Sequence, residues 1–294
     1  MTLVRIATRG SAQARTQAVA VGDELQQTHP GLAVELVFVD TVGDQRRDVP
    51  LHTMGGQGVF VKEVQRAVLD GQADIAVHSA KDLPSTPADG LVIGAFGRRR
   101  DPRDVLVGRR LDELAMGATV ATGSVRRRAQ LLRLRQDLNF VELRGNIPTR
   151  LEKIPESGSI VMAAAALEIL GWTDRVDEFL DVVDMVPAVG QGCVAIECRD
   201  EDRVIGDLLA AIDHAPSRRA VEHERAFLAE LGSGCSLPVG AFDDGSVMRV
   251  YLASDDGTDH HLATIDTGPT VAHDELLSRA RRAAQEARAA ISGT

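Results

Sequence analysis

The chain has 294 residues, 44% hydrophobic and 26% charged, with a formal net charge of −10. That length can bury two or three separate cores, and the acidic total argues against nucleic acid as a partner of the whole chain. Aromatics are only 3% of residues, too few for base-stacking platforms, and no apolar run approaches a membrane span. The opening Met1-Thr-Leu-Val-Arg-Ile-Ala7 lacks a secretory apolar core, Cys193, Cys198 and Cys235 are an odd set without metal spacing, and the eight His form no zinc-type pair. The expectation is a cytoplasmic protein with reduced thiols and no metal.

In chain order, residues 3–7 predict a strand that turns at Thr8-Arg-Gly-Ser11 into a helix over 12–27, with Ser11 placed to cap it and Arg9 at the turn. A second strand follows over 33–39. A Gly-rich loop runs from Thr41 through Gly55-Gly-Gln-Gly58 and lacks the phosphate-loop pattern. Val61, Val64 and Val68 give residues 61–69 a helical apolar face. Then comes Asp74-Ile-Ala-Val-His-Ser-Ala-Lys-Asp-Leu-Pro84, an apolar strand stopped by proline, with His78, Ser79, Lys81 and Asp82 at its end. Open α/β sheets place ligands at such strand ends, although a solvated turn reads equally well from this stretch alone. A strand is expected at 91–95.

Arginines crowd the chain around Asp101-Pro-Arg, as in a crossing between domains. Strands over 105–107, 119–121, 140–143 and 160–163 alternate with helical segments at 125–134, 147–152 and 164–170, predicting a second parallel α/β unit. Pro187-Ala-Val-Gly-Gln-Gly192 is a second glycine-rich crossing, after which a strand at 194–197 and a helix at 203–212 return to the first unit. A helix over 217–231, the loop Gly232-Ser-Gly-Cys-Ser236, three strands between 238 and 266 and a helix over 272–291 make a small third unit.

Arg126 and Arg127, with Arg128, follow Thr122-Gly-Ser124 at a helix start; Arg144 follows a strand, and Arg150 lies six residues later. A strand, a Thr-Gly-Ser turn and a helix N-terminus make an anion site, and guanidinium forks suit several carboxylates or phosphates. The alternative is a solvated basic face. Cys235, flanked by glycine and a Ser-Leu-Pro turn, is either a small packed side chain or a reachable nucleophile or attachment point. Cys193 and Cys198 read as packing. Asp82 is the best acid–base candidate, able also to stabilise a cation in a partly dry site.

Seven stretches matter together: Ala7-Thr-Arg-Gly-Ser11; Gly55-Gly-Gln-Gly-Val-Phe-Val-Lys-Glu63; Asp74 to Pro84; Asp101-Pro-Arg-Asp104; Leu143-Arg-Gly-Asn146 with Thr149-Arg150; Pro187 to Gly192; and Glu224-Arg-Ala-Phe-Leu228 leading to Gly234-Cys-Ser-Leu-Pro-Val-Gly-Ala241. In this order they resemble the porphobilinogen deaminase (hydroxymethylbilane synthase) family over nearly the whole chain. The resemblance implies an α/β fold of two periplasmic-binding-protein-like lobes with a cleft between them, plus a small C-terminal α+β domain. The expected domains are 1–97 with 194–213, 98–193, and 214–294.

The resemblance further implies a monomeric cytoplasmic transferase of tetrapyrrole (haem) biosynthesis. It joins four porphobilinogen molecules head to tail with loss of ammonia, and has no nucleic-acid, membrane or metal partner. By family, Cys235 carries a dipyrromethane cofactor as a thioether. Asp82 assists loss of the amino group and stabilises the azafulvene-type cation. Arg9, Ser11, Lys81, Arg126, Arg127, Arg144 and Arg150 match positions that bind acetate and propionate groups, with Thr122 and Ser124 at the same turn.

The chain departs from the family pattern at several positions. Gln57 stands for a usual Lys, Gly123 for Ser, Ile169 for a carboxylate-binding Arg, Cys193 for Ala, and Gln13 and Ala80 for apolar residues. Loss of one charge-assisted bond weakens binding by roughly 1.5–3 kcal/mol. Arg128 is a candidate to compensate. Two other readings stay open on the sequence: a two-lobed binding protein for a small anion, and a homologue that has lost its chemistry.

Overall fold

The structure is a computed structural model that describes residues 2–41, 58, 60–232, 237–254 and 257–292. The chain begins with β1 (Leu3–Arg9), α1 (Ala12–Thr28), β2 (Ala33–Val39), α2 (Lys62–Leu69), β3 (Ile75–Ser79) and β4 (Leu91–Phe96). It continues through β5 (Asp104–Val107), β6 (Thr119–Ala121), α3 (Val125–Leu134), β7 (Asn139–Val141), α4 (Ile147–Leu151), β8 (Ser159–Ala163), α5 (Ala164–Glu168) and β9 (Glu178–Phe179). The last third holds β10 (Val194–Arg199), α6 (Arg203–Ala210), α7 (Ala215–Leu231), β11 (Val239–Asp243), β12 (Val247–Ala253), β13 (His260–Asp266) and α8 (His273–Ser292).

The first sheet has the order β2-β1-β3-β10-β4, with β1 parallel to β2 and β3, and β10 antiparallel to both its neighbours. Its central strands are apolar at nearly every position, which requires cover on both faces. Val4, Ile6, Ile75 and Val77 pack with Val21 and Leu25 of α1 and Ile205 and Leu209 of α6. Their alternates Ala7 and Ala76 meet Val64, Ala67 and Val68 of α2. The period-two alternation of a strand thus feeds two separate cores.

The second sheet, β7-β6-β8-β5-β9, corrects one expectation. The sequence predicts a parallel unit, but β5 runs antiparallel to β8 and to β9. β5 enters straight from the first crossing, with no crossover helix to set it parallel, so its direction follows from the connection rather than from its residues. The third sheet is an antiparallel meander, β11-β12-β13. Phe227 and Leu231 of α7 and Ala280, Ala284 and Ala287 of α8 pack with its Ala241, Met248, Val250 and Leu252.

The two crossings lie side by side: Gly97 N–H donates to Val194 O (3.0 Å) and Arg100 N–H to Gly192 O (2.9 Å). Glu224 of α7, 0% exposed, gathers them. Its carboxylate accepts from the Arg99 guanidinium, from Gly190 N–H (2.7 Å) and from Asp243 N–H (2.9 Å). A buried carboxylate persists only where its charge is matched this fully.

Candidate functional site

At the end of β3 the chain makes a 3-10 turn over Ala80–Asp82, closed by Leu83 N–H donating to Ala80 O at 3.3 Å. Pro84 supplies no N–H and stops the sheet. The second crossing abuts this turn. A Cβ on Gly190, whose φ is +70°, would lie 2.9 Å from Ala80 Cβ and 3.3 Å from Lys81 N. Only glycine allows both that φ and that approach.

Asp82 lines two cavities. The larger, about 240 Å³, is walled by Lys81, Thr122, Ser124, Arg126, Arg127 and Arg150, with Leu228, Leu237 and Val239 of the third unit as its apolar side. The smaller, about 40 Å³, is lined by Arg9, Ser11, Gln13, Gln17 and Ser79 together with Asp82. Gln17 and Gln13 amides donate to Ser79 Oγ at 3.2 and 3.5 Å. The sequence marks Gln13 only as a departure and Gln17 not at all; the available signal is their separation by four residues, about one helical turn, in the helix that Ser11 caps.

Two helix N-termini point into this region. Ser11 caps α1, accepting from Ala14 N–H (3.3 Å), and Ser124 caps α3, accepting from Arg127 N–H (3.4 Å) while its own N–H donates to Thr122 Oγ1 (3.2 Å). These hydroxyls therefore hold backbone, leaving helix-end charge and guanidinium groups for a ligand.

Arg126 and Arg127 are only 4% and 7% exposed, and both are engaged by Asp104. Arg126 Nη1 donates to Asp104 Oδ2 and to Val186 O, each at 2.7 Å. Arg127 donates through Nε (3.0 Å) and Nη2 (2.8 Å) to Asp104 Oδ1, and through Nη1 to Val161 O (3.0 Å). Gln191 of the second crossing adds a donor to Asp104 Oδ1 at 3.0 Å. Burial opposes charge on Asp104, but Arg126 and Arg127 outweigh it and hold the carboxyl well below the usual range. Asp104 was read as part of a motif, not as the partner of these arginines.

The remaining cations crowd one another. Burial, then Arg127 and Arg126, push Lys81 down to about 8 against the pull of Asp82 and Asp104. Burial and Arg127, with Arg144 and Arg9, push Arg150 down to about 10, Asp82 opposing. Arg150 Nε also donates to Gly145 O at 2.8 Å, and Arg9 stacks over Phe60 at 4.1 Å. Arg144 acts on this group through its charge, since it lines neither cavity. Arg9, Lys81, Arg126, Arg127, Arg144 and Arg150 thus outnumber Asp82 and Asp104. A concave site with this excess and one apolar wall suits a molecule that carries several carboxylates on an apolar frame.

Cys235 and Gln57 lie outside the described residues. The chain leaves the described region at Gly232, which ends α7 with φ +64°, and returns at Leu237 in the cavity wall. Arg128 does not compensate for Ile169 here: it is exposed, 5.9 Å over the Phe140 ring, and lines neither cavity. Beside Ile169, Glu168 pairs with Arg100 at 2.8 Å. Cys193 is buried, which pushes its thiol up to about 12.

A family model described as porphobilinogen deaminase, dipyromethane cofactor binding domain, matches residues 4–207, and one for the C-terminal domain matches residues 219–273. Porphobilinogen deaminase of Syntrophus aciditrophicus is 45% identical over 254 residues, 84% of this chain and 83% of that protein. The one of Syntrophobacter fumaroxidans is 42% identical over 301 residues, 97% of each. Among solved structures, the methionine-binding protein MetQ aligns over 71% of this chain and 89% of its own, at 16% identity and a TM-score of 0.44. The chain belongs to the porphobilinogen deaminase family, the hydroxymethylbilane synthases of tetrapyrrole biosynthesis, and contains that family's dipyrromethane cofactor domain.

Proposed function

We infer that this chain condenses four porphobilinogen molecules head to tail, releasing ammonia and yielding hydroxymethylbilane, with dipyrromethane held by Cys235. The observation that carries this reading is the shared carboxylate: Asp82 lines both cavities, and the walls about it are cationic. The cavity residues fit the cofactor. Lys81 and Arg150, both depressed by burial and then by neighbouring cations, gain from anions, and Leu228, Leu237 and Val239 offer an apolar face to pyrrole rings. When bound, dipyrromethane supplies the primer that is extended and kept.

The chain's own residues account for the rest. Arg9 and the α1 N-terminus hold an incoming acetate or propionate in the smaller cavity, with Ser11 fixing that terminus. Lys81, Arg126, Arg127 and Arg150, with the Thr122–Ser124 turn, hold the carboxylates of the larger one, and Arg144 adds its charge from behind that wall. The C–N bond of the protonated aminomethyl group breaks, nitrogen leaves with the bonding pair as ammonia, and positive charge spreads over the ring and its pyrrole N–H until the free α-carbon of the next pyrrole bonds to the methylene carbon and gives up its proton. Asp82 stabilises that charge as it develops, at a site where a fixed carboxylate counts for more than in water. The domains divide as 1–97 with 194–213, 98–193, and 214–294. β10 pairing with β3 and β4 supports the first of these. The same reading makes the protein a cytoplasmic monomer that needs no metal or membrane; size-exclusion chromatography and cell fractionation check it.

The test is intact mass with peptide mapping, then turnover. An excess of two porphobilinogen units less two ammonia, mapped to Cys235 and absent from Cys235→Ala, is expected. Asp82→Asn should keep that excess and lose nearly all ammonia release. Full turnover in Asp82→Asn would remove Asp82 from its role, and an unmodified protein inert to porphobilinogen would sink the whole reading.

A further inference from the structure

Arg225 of α7 has no part in the chemistry above, yet it reaches the loop that leaves Asp82. Its Nη2 donates to Pro84 O at 2.8 Å and to Ser85 O at 3.3 Å. Its Nη1 is buried without a hydrogen-bond partner among the described residues. Burial lowers the pKa of this guanidinium, while Glu197 and Glu222 pull it back. A partly buried guanidinium that is left half satisfied to hold two successive carbonyls is costly, and its evident effect is on backbone.

The loop it grips is short. Asp82 closes the 3-10 turn, Leu83 follows, and Pro84 and Ser85 line the larger cavity. Leu228, on α7 just beyond Arg225, lines the same cavity, and α7 ends at Gly232, where the segment with Cys235 begins. One helix therefore touches both the Asp82 loop and the cavity wall. We propose that Arg225 is a positioning residue that fixes the Asp82 loop against α7, so that the carboxylate keeps its place beside the cavity wall that Leu228 lines. The proposal rests on the function inferred above and concerns a contact between the third unit and the first.

Arg225→Met keeps the stem and removes the donors. In cofactor-loaded protein, checked by intact mass, kcat should fall about 10- to 100-fold while KM stays within about 2-fold. Arg225→Lys, which can still donate to a carbonyl, should recover part of the loss. Hydrogen exchange should quicken around residues 80–90 and not in β3 or α7. Wild-type kcat in Arg225→Met overturns the proposal. So does quickened exchange throughout β3 and α7 with activity falling only as the folded fraction falls, because that marks a role in stability alone. If loaded wild-type protein releases no ammonia, the proposed function fails instead, and the exchange pattern, which needs no turnover, still decides whether Arg225 holds this loop.

Discussion

Arg127 grips Asp104 with two nitrogens, Nε at 3.0 Å and Nη2 at 2.8 Å, and neither residue is more than 7% exposed. The pair joins the start of α3 to the first residue of β5, and Arg126 completes it from the next position. Asp104→Asn would leave two buried guanidiniums facing a neutral amide. The expected cost is about 3–5 kcal/mol of stability, measured by urea unfolding. Because the Asp104 pKa is depressed by folding, its contribution is full above the ordinary carboxylate range and is lost as pH falls toward its folded value. The variant should therefore lose less stability than wild type on acidification. Cofactor loading, read by intact mass, should drop with it.

Lys81 gives a pH dependence of the same sign in an alkaline window, from a group that burial disfavours. Its folded value of about 8 lies under the ordinary 10.5, so between those values the unfolded chain binds more protons. Stability of the unloaded Cys235→Ala protein should rise with pH across that window, the relief being complete above 10.5 and absent below 8. Lys81→Met in the same background should flatten the rise. Without cofactor carboxylates to raise its pKa, the unloaded protein should also bind porphobilinogen more weakly as pH climbs past about 8. Calorimetric titration at several pH values checks this, and binding that strengthens there would exclude Lys81 as a carboxylate ligand.

Gly190→Ala places a methyl 2.9 Å from Ala80 Cβ at a φ of +70°. Something must move, and the nearest movable element is the turn carrying Asp82. The expected loss of stability is about 1–3 kcal/mol. The expected loss of kcat is larger than that strain alone implies, roughly 10-fold or more. Steady-state kinetics beside thermal unfolding separates the two.

Glu224→Gln keeps the shape and removes the charge that answers Arg99. A loss of about 3–5 kcal/mol follows. Since Glu224 also accepts from Gly190 and Asp243, the loss should appear as separate unfolding of the third unit, seen as two urea transitions in place of one.

Local pattern carried much of this molecule. The apolar run ending at Pro84, the Ser11 cap, the helix start after Thr122-Gly-Ser124 and the glycines at 190 and 192 were legible because each answers to chemistry within a few residues. The direction of β5 was not, since strand polarity belongs to the connection. Nor were the partners of Arg126 and Arg127: Asp104 is 22 residues from one and 23 from the other, and nothing in a basic triplet states which carboxylate will meet it. The basic cluster at strand ends was visible, and Arg126, Arg127 and Arg150 line the larger cavity, while the pairing that lets the first two be buried came only with the fold. Arg225 stands inside the Glu224-Arg-Ala-Phe-Leu228 stretch, but its grip on Pro84 O spans 141 residues and has no local signal.

Glu224 is held by Arg99 of the first crossing and by Gly190 of the second, and belongs to neither. A door hung on two straps is free to twist; fastened to a post between them, it can only swing. The two lobes are tethered in that second way. On the function inferred above, a growing chain would be accommodated by widening the mouth of the cleft while the post itself stays in place. Capacity for a longer product and constancy at Asp82 would then cease to compete, because they would be set at opposite ends of the same lever.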